Sequence, residues 1–172
     1  MSAAVEALLA GLAGIYDPGE DVDELDHAMQ CATLAYESGA GPELVAAALV
    51  HDIGRHPELE RPRFAHERTG ALWALSACTV RHAERVAWLV GAHVAAKIWL
   101  AGHEAGYPLS EVSRASLLVQ SSGEGSVLAS YVGHVWWADA LRLRRWDDAA
   151  KVPGASVASL REIMAVSDGL WA

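Results

Sequence analysis

The stretch Leu44–Arg55, LVAAALVHDIGR, is an apolar run with helical spacing that ends in an adjacent histidine and aspartate. A carboxylate inside Ala-Leu-Val surroundings costs several kcal/mol (roughly) unless it is paired or coordinates a metal. Asp52 has no basic neighbour on its own segment until Arg55. Side by side on one helix, His51 and Asp52 can reach two points of one metal site. The imidazole binds one ion, and the carboxylate can place one oxygen on each of two.

Working outward, His27 lies in LDHAMQ, His66 in AHERTGA, His93 in VGAHVAAK and Asp139 in WADAL. With His51 and Asp52 they offer four neutral nitrogens and two carboxylates. That donor set suits iron, manganese or another first-row divalent ion better than a thiolate metal. Each residue also has a plainer explanation. His27 could be a core histidine bonded to a carbonyl, His66 a surface residue at a helix start, and Asp139 an ion-pair partner of Arg142. Several helices each turning a His or Asp inward is how helical bundles build metal sites. Lys97 is one turn after His93 and shares its face, placed to hold the anionic end of a substrate. Its alternative is a snorkelling surface side chain. His56, His82, His103 and His134 are left outside the site, and the tryptophans are read as mostly core.

The segments around this run are Ala/Leu/Val-rich with helical period, and none alternates as a strand would. Helices are expected at about Val5–Leu12, Glu24–Ser38, Pro42–Ile53, from His66, Arg81–Ala101, from Ser110 to Val119, Val127–Trp146 with a break at Gly133, and Ser156–Val166. The stretches YDPGEDVD, RHPELERPRF and QSSGEGS read as loops. The expected fold is all-α, a single helical domain over residues 1–172. A net charge of −9 argues against a nucleic-acid partner but leaves room for a small anionic substrate held by local cations. Cys31 and Cys78 read as buried thiols. No apolar run is long enough to span a membrane, and the N-terminus lacks a basic signal-peptide region. A cytoplasmic protein is expected; the oligomeric state is open.

The pattern His27, His51-Asp52, Asp139 resembles the HD-domain superfamily, whose members are mostly phosphohydrolases. The segments EDVDELDHAMQCA, AAALVHDIG, HERTGA, AHVAAKIWL and ALRLRRWDDAAKVPG are more specific. They resemble the small HD-domain mixed-valent diiron oxygenases that cleave carbon–phosphorus bonds, distant relatives of myo-inositol oxygenase. The resemblance runs from about Tyr16 to Lys151.

It implies two iron ions, Fe(II) and Fe(III), with O2 as co-substrate. His27, His51, Asp52, His66, His93 and Asp139 would be the ligands, with Asp52 bridging. Tyr16 and Glu20 are similar to a family pair in which the tyrosine occupies an iron position until substrate displaces it. Lys97 resembles the lysine that contacts the phosphonate, and Gln120 and Ser116 fall where the family has polar substrate contacts. The chain departs from the pattern at Arg55, where the family carries histidine, and at Ser121-Ser122, where it has two glycines. Arginine could hold a phosphonate bidentately or prefer a carboxylate. The arginines and aspartates of LRRWDDAAK are read as structural, pairing with one another. The implied reaction is oxidative cleavage of a 1-hydroxyphosphonate to a carboxylate and phosphate. The alternative is an HD phosphohydrolase, whose dinuclear site would generate a hydroxide.

Overall fold

The computed structural model describes residues 3–59, 65–109, 111, 114 and 125–172, with 125–127 as backbone only. Its regular elements are all helical: α1 (Ala3–Ala10), α2 (Glu24–Glu37), α3 (Pro42–Val50), a 3-10 turn (Ile53–Arg55), α4 (His66–Ala77), α5 (Val80–His103), α6 (Gly125–Tyr131), α7 (Trp137–Ala149) and α8 (Leu160–Val166). The only β-type pairings among the described residues are two isolated bridges, Tyr16 with Asp23 and Cys78 with Trp171. The all-α expectation is met. The expected helix from Ser110 lies largely outside the described residues.

Local chemistry explains the boundaries. The Asp23 carboxylate caps α2, one oxygen accepting from the Asp26 amide at 2.8 Å and the other from Gly14 at 2.9 Å. The chain leaves α2 through Gly39 at φ 71°, a left-handed conformation that glycine adopts without penalty. Pro42 opens α3, where its missing N–H costs nothing. Ser159 and Glu162 form a reciprocal capping box on α8, which therefore starts at Leu160 and not at Ser156.

Helix α3 sits at the centre. Every residue from Leu44 to Val50 is buried, against α2, α5, α7 and α8. It is hydrophobic all round because it is covered all round. The long helix α5 carries both α4 and α7. At about 1.5 Å per residue its 24 residues extend about 36 Å. Cys31 and Cys78 are free, buried thiols. Among the described residues, no helix is long and apolar enough to cross a membrane.

Two expected helices are interrupted. Helix α3 stops at Val50 instead of running to Ile53, and Asp52 (φ −102°, ψ 10°) leads into the 3-10 turn. There Gly54 passes so close to the start of α4 that a Cβ on it would lie 2.0 Å from the carbonyl oxygen of His66. The expected Val127–Trp146 helix is split into α6 and α7, with Gly133 at φ 87° in the break.

A candidate metal centre

Four helical segments deliver side chains to one point. His27 comes from the end of the first turn of α2, His51 and Asp52 from just past the end of α3, His66 from the first residue of α4, and His93 from the middle of α5. Helix α7 adds Asp147. All are buried except His66, which is half-buried.

They form two groups joined by one carboxylate. In the first, Nε2 of His27 and Nε2 of His51 are 3.1 Å apart. The oxygens of Asp147 lie 3.4 Å from His27 and 3.7 Å from His51. In the second, Nε2 of His66 and Nε2 of His93 are 3.2 Å apart. Asp52 spans both. Its Oδ2 lies 3.8 Å from His27 and 3.6 Å from His51, and its Oδ1 lies 3.1 Å from His66 and 3.5 Å from His93.

The imidazoles are oriented from behind. Nδ1 of His27, His51 and His93 donates to the carbonyls of Ala150, Ala48 and Val90 at 2.8, 2.8 and 2.7 Å. A carbonyl only accepts, so these bonds put the proton of each neutral ring on Nδ1 and leave a lone pair on Nε2. Burial pushes His93 down to about 3 and lowers His51 also, so both rings are neutral. Two Nε2 lone pairs facing each other, as those of neutral His27 and His51 would at 3.1 Å, repel unless a proton or a cation lies between them. Burial likewise works against protonated His27, but its hydrogen bond to Asp147 and the charge of Asp52 outweigh this and lift it to about 9.

Both carboxylates stay ionised. Burial opposes this, but Arg55 and the surrounding histidines hold Asp52 well below the usual carboxylate range, and Arg144 does the same for Asp147. Oδ1 of Asp52 is buried without a hydrogen-bond partner among the described residues. An orphaned anionic oxygen and converging nitrogen lone pairs fit a pair of divalent cations. Three ligand atoms lie within 4.8 Å of one another in each group, His27/His51/Asp147 and Asp52/His66/His93.

Asp139 is the correction. It does not join the centre. Its carboxylate accepts from Arg85 at 2.7 Å and from Arg142 at 3.1 Å, near the surface at the start of α7. The acid α7 turns inward is Asp147, two turns on, in the segment read as structural. Two adjacent acids in an otherwise Ala-rich helix end, WDDAA, were the available signal for it. The expected Arg/Asp pairing in that segment also exists. Arg144 donates to Asp147 at 2.6 Å and binds Asp148, which accepts from Tyr107 at 2.8 Å.

The centre opens into a cavity lined also by Asp17, Glu20, Glu24, Arg55, Lys97, Arg144 and Lys151. Lys97 is buried there, and burial together with Arg144 pushes it down to about 8. Glu20 is ion-paired with Lys151. Arg55 is engaged by carboxylates: Asp17 at 2.9 Å, Asp52 at 3.4 Å and Glu24 at 3.5 Å. Tyr16 is 56% exposed and does not line this cavity; it borders a neighbouring depression with Asp17, Arg55 and His66. Ser116 and Gln120 lie outside the described residues.

The chain is 34% identical over 154 residues to hydroxymethylphosphonate dioxygenase of Gimesia maris, an alignment covering 83% of this chain and 75% of that protein. The chain belongs to the HD-domain diiron oxygenase family. A second relative, an uncharacterized protein of Acanthamoeba polyphaga mimivirus, is 28% identical over 153 residues, covering 83% of this chain and 68% of that one. No family model matches the chain. Among the described residues, these two side-chain groups are the ones that could hold a metal ion.

Proposed function

We propose that this protein is a diiron oxygenase that cleaves the carbon–phosphorus bond of a small 1-hydroxyphosphonate. The observation that carries the reading is Asp52, whose two oxygens face two separate histidine pairs. The name of the Gimesia relative supports the substrate class. His27, His51 and Asp147 would hold one iron, His66 and His93 the other, and Asp52 both. When bound in the Fe(II)/Fe(III) state, the pair would supply O2 activation and oxidation of the substrate C–H.

The remaining roles belong to the protein. The carbonyls of Ala150, Ala48 and Val90 lock the rings so that no reorientation is needed on loading. Lys97, buried beside the centre, binds the phosphonate dianion and keeps its proton when it does so. Arg144 lines the same wall, its charge compensated by Asp147 and Asp148. The apolar packing of α3 and α5 behind the histidines holds those side chains in place. Hydroxymethylphosphonate and O2 would balance to formate, hydrogen phosphate and one proton.

The test is O2 consumption and phosphate release from hydroxymethylphosphonate by iron-loaded protein, with metal content and EPR alongside. Two irons per chain, a mixed-valent signal that shifts on adding the phosphonate, and phosphate formed only with O2 are expected. Phosphate released from a phosphate ester without O2 would instead make it a hydrolase. Lys97→Ala should keep its metal and raise KM by about tenfold or more, the loss of a charge-assisted contact.

A further inference from the structure

Three buried polar residues on one face of α2, spaced three apart, hold the segment that joins α7 to α8. His27 donates from Nδ1 to the carbonyl of Ala150 at 2.8 Å. Gln30 holds Val152 by both of its backbone groups: Nε2 donates to the carbonyl at 3.0 Å, and Oε1 accepts from the amide at 3.1 Å. Thr33 accepts at Oγ1 from the amide of Ala158 at 3.0 Å. Residues 150–159, which make up the joining segment, are irregular, so their backbone groups depend on such side chains.

This dependence reaches the metal centre through Ala150. The carbonyls that orient His51 and His93 belong to Ala48 and Val90, which lie inside α3 and α5 one turn before the histidines they serve. Those two are fixed by their own helices. The carbonyl that orients His27 lies past the end of α7, and the amide of Ala150 reaches the Asp147 carbonyl at 3.3 Å. On its other side the backbone is pinned at Val152, two residues on, by Gln30. Lys151, between them, lines the cavity and is ion-paired with Glu20. A lysine's flexible stem fixes the backbone less than a two-point hydrogen bond does.

We infer that Gln30 is a positioning residue of the metal centre: by pinning Val152 to α2 it sets the Ala150 carbonyl, and through it the ring of His27, for an ion at the His27/His51/Asp147 group. The inference rests on the metal-centre reading above and adds to it a residue outside the ligand set. Thr33 holds the far end of the same segment and has no such role.

The experiment titrates Zn(II) into metal-free protein, isotope-labelled at histidine for NMR, against a competing chelator. The ring signals of His27 and His51 report one ion, and those of His66 and His93 the other. Gln30→Met keeps the length of the side chain and removes both hydrogen bonds to Val152. It should weaken the ion at His27 by about tenfold, the lower end of the cost of losing a ligand's orienting partner, and leave the ion at His66 within about threefold. Thr33→Val also removes a hydrogen bond to the segment and should lower the urea midpoint, yet leave both ions within about threefold of wild type. Should Gln30→Met fail to fold, Gln30→Asn, one methylene too short to reach both groups of Val152, is read in the same way. An unchanged ion at His27 in the Gln30 variant, equal weakening of both ions, or the same weakening in Thr33→Val would overturn the inference and leave the metal-centre reading standing. Zinc bound at neither histidine pair of wild type would remove that reading, and this inference with it.

Discussion

Arg144 donates to Oδ2 of Asp147 at 2.6 Å, and both side chains are buried three residues apart on α7. The arginine compensates the acid on one side and leaves the carboxylate directed at His27 and His51 on the other.

Asp147, and not Asp139, should therefore control metal binding. Asp147→Ala removes one of the two carboxylates that hold buried Arg144 and leaves Asp148 in place, so about 1–3 kcal/mol of stability should be lost in the metal-free protein. Metal content should fall to about one ion per chain, as the ligand-loss reading requires. Asp139→Ala breaks two half-exposed ion pairs, costs at most about 1 kcal/mol, and should leave metal content unchanged. Elemental analysis and urea melts of the two variants decide between the acids.

Asp52→Ala removes the group that faces both histidine pairs. Both metals should be lost together, not one. A variant that keeps two tightly held ions would show that the two groups are independent.

Gly54→Ala tests the close approach behind His66. The added Cβ would meet the His66 carbonyl at 2.0 Å and the Gly70 amide nitrogen at 2.8 Å, both backbone atoms that cannot swing aside. The start of α4 must shift, at about 1–3 kcal/mol. Because His66 is carried on that turn, the second ion should be held more weakly than the first. Competition with a chelator, followed by metal counting, measures this.

Lys97 sets a pH dependence. Burial lowers its pKa from the ordinary 10.5 to about 8. Between those values the unfolded chain holds a proton that the folded chain does not, so stability should rise as pH climbs through about 8 to 10.5. Lys97→Met lacks the buried charge. In urea melts of metal-free protein it should be more stable than wild type at pH near 7.5, with the gap closing toward pH 10 as the lysine is neutralised. A constant gap across that range would mean that Lys97 is not buried as a cation.

Several features were legible before any coordinates. Continuous helical period, Gly39 and Pro42 marked α2 and the start of α3 closely, because capping and breaking are local chemistry. His27, His51, Asp52, His66 and His93 were legible as a set, since buried histidines and an unpaired buried acid in apolar helices demand a common partner. The break between α6 and α7 was marked by Gly133. The end of α3 was not, because Val50-His51-Asp52-Ile53 contains no helix breaker; the 3-10 turn that follows brings Gly54 against the start of α4.

The sequence by itself determined that the chain is helical, that its Leu44–Val50 run is continuously apolar, and that four histidines and Asp52 were candidates for one site. Only the tertiary structure decided which acid completes the set. Asp139 and Asp147 lie on the same helix, eight residues apart, or about 80° around its axis at 3.6 residues per turn. Charged residues surround α7 on most sides, WADALRLRRWDDA, so its pattern does not say which of them faces inward. That orientation is set by partners distant in sequence: Arg85 on α5 draws Asp139 outward, and His27 on α2 and His51 at the end of α3 receive Asp147.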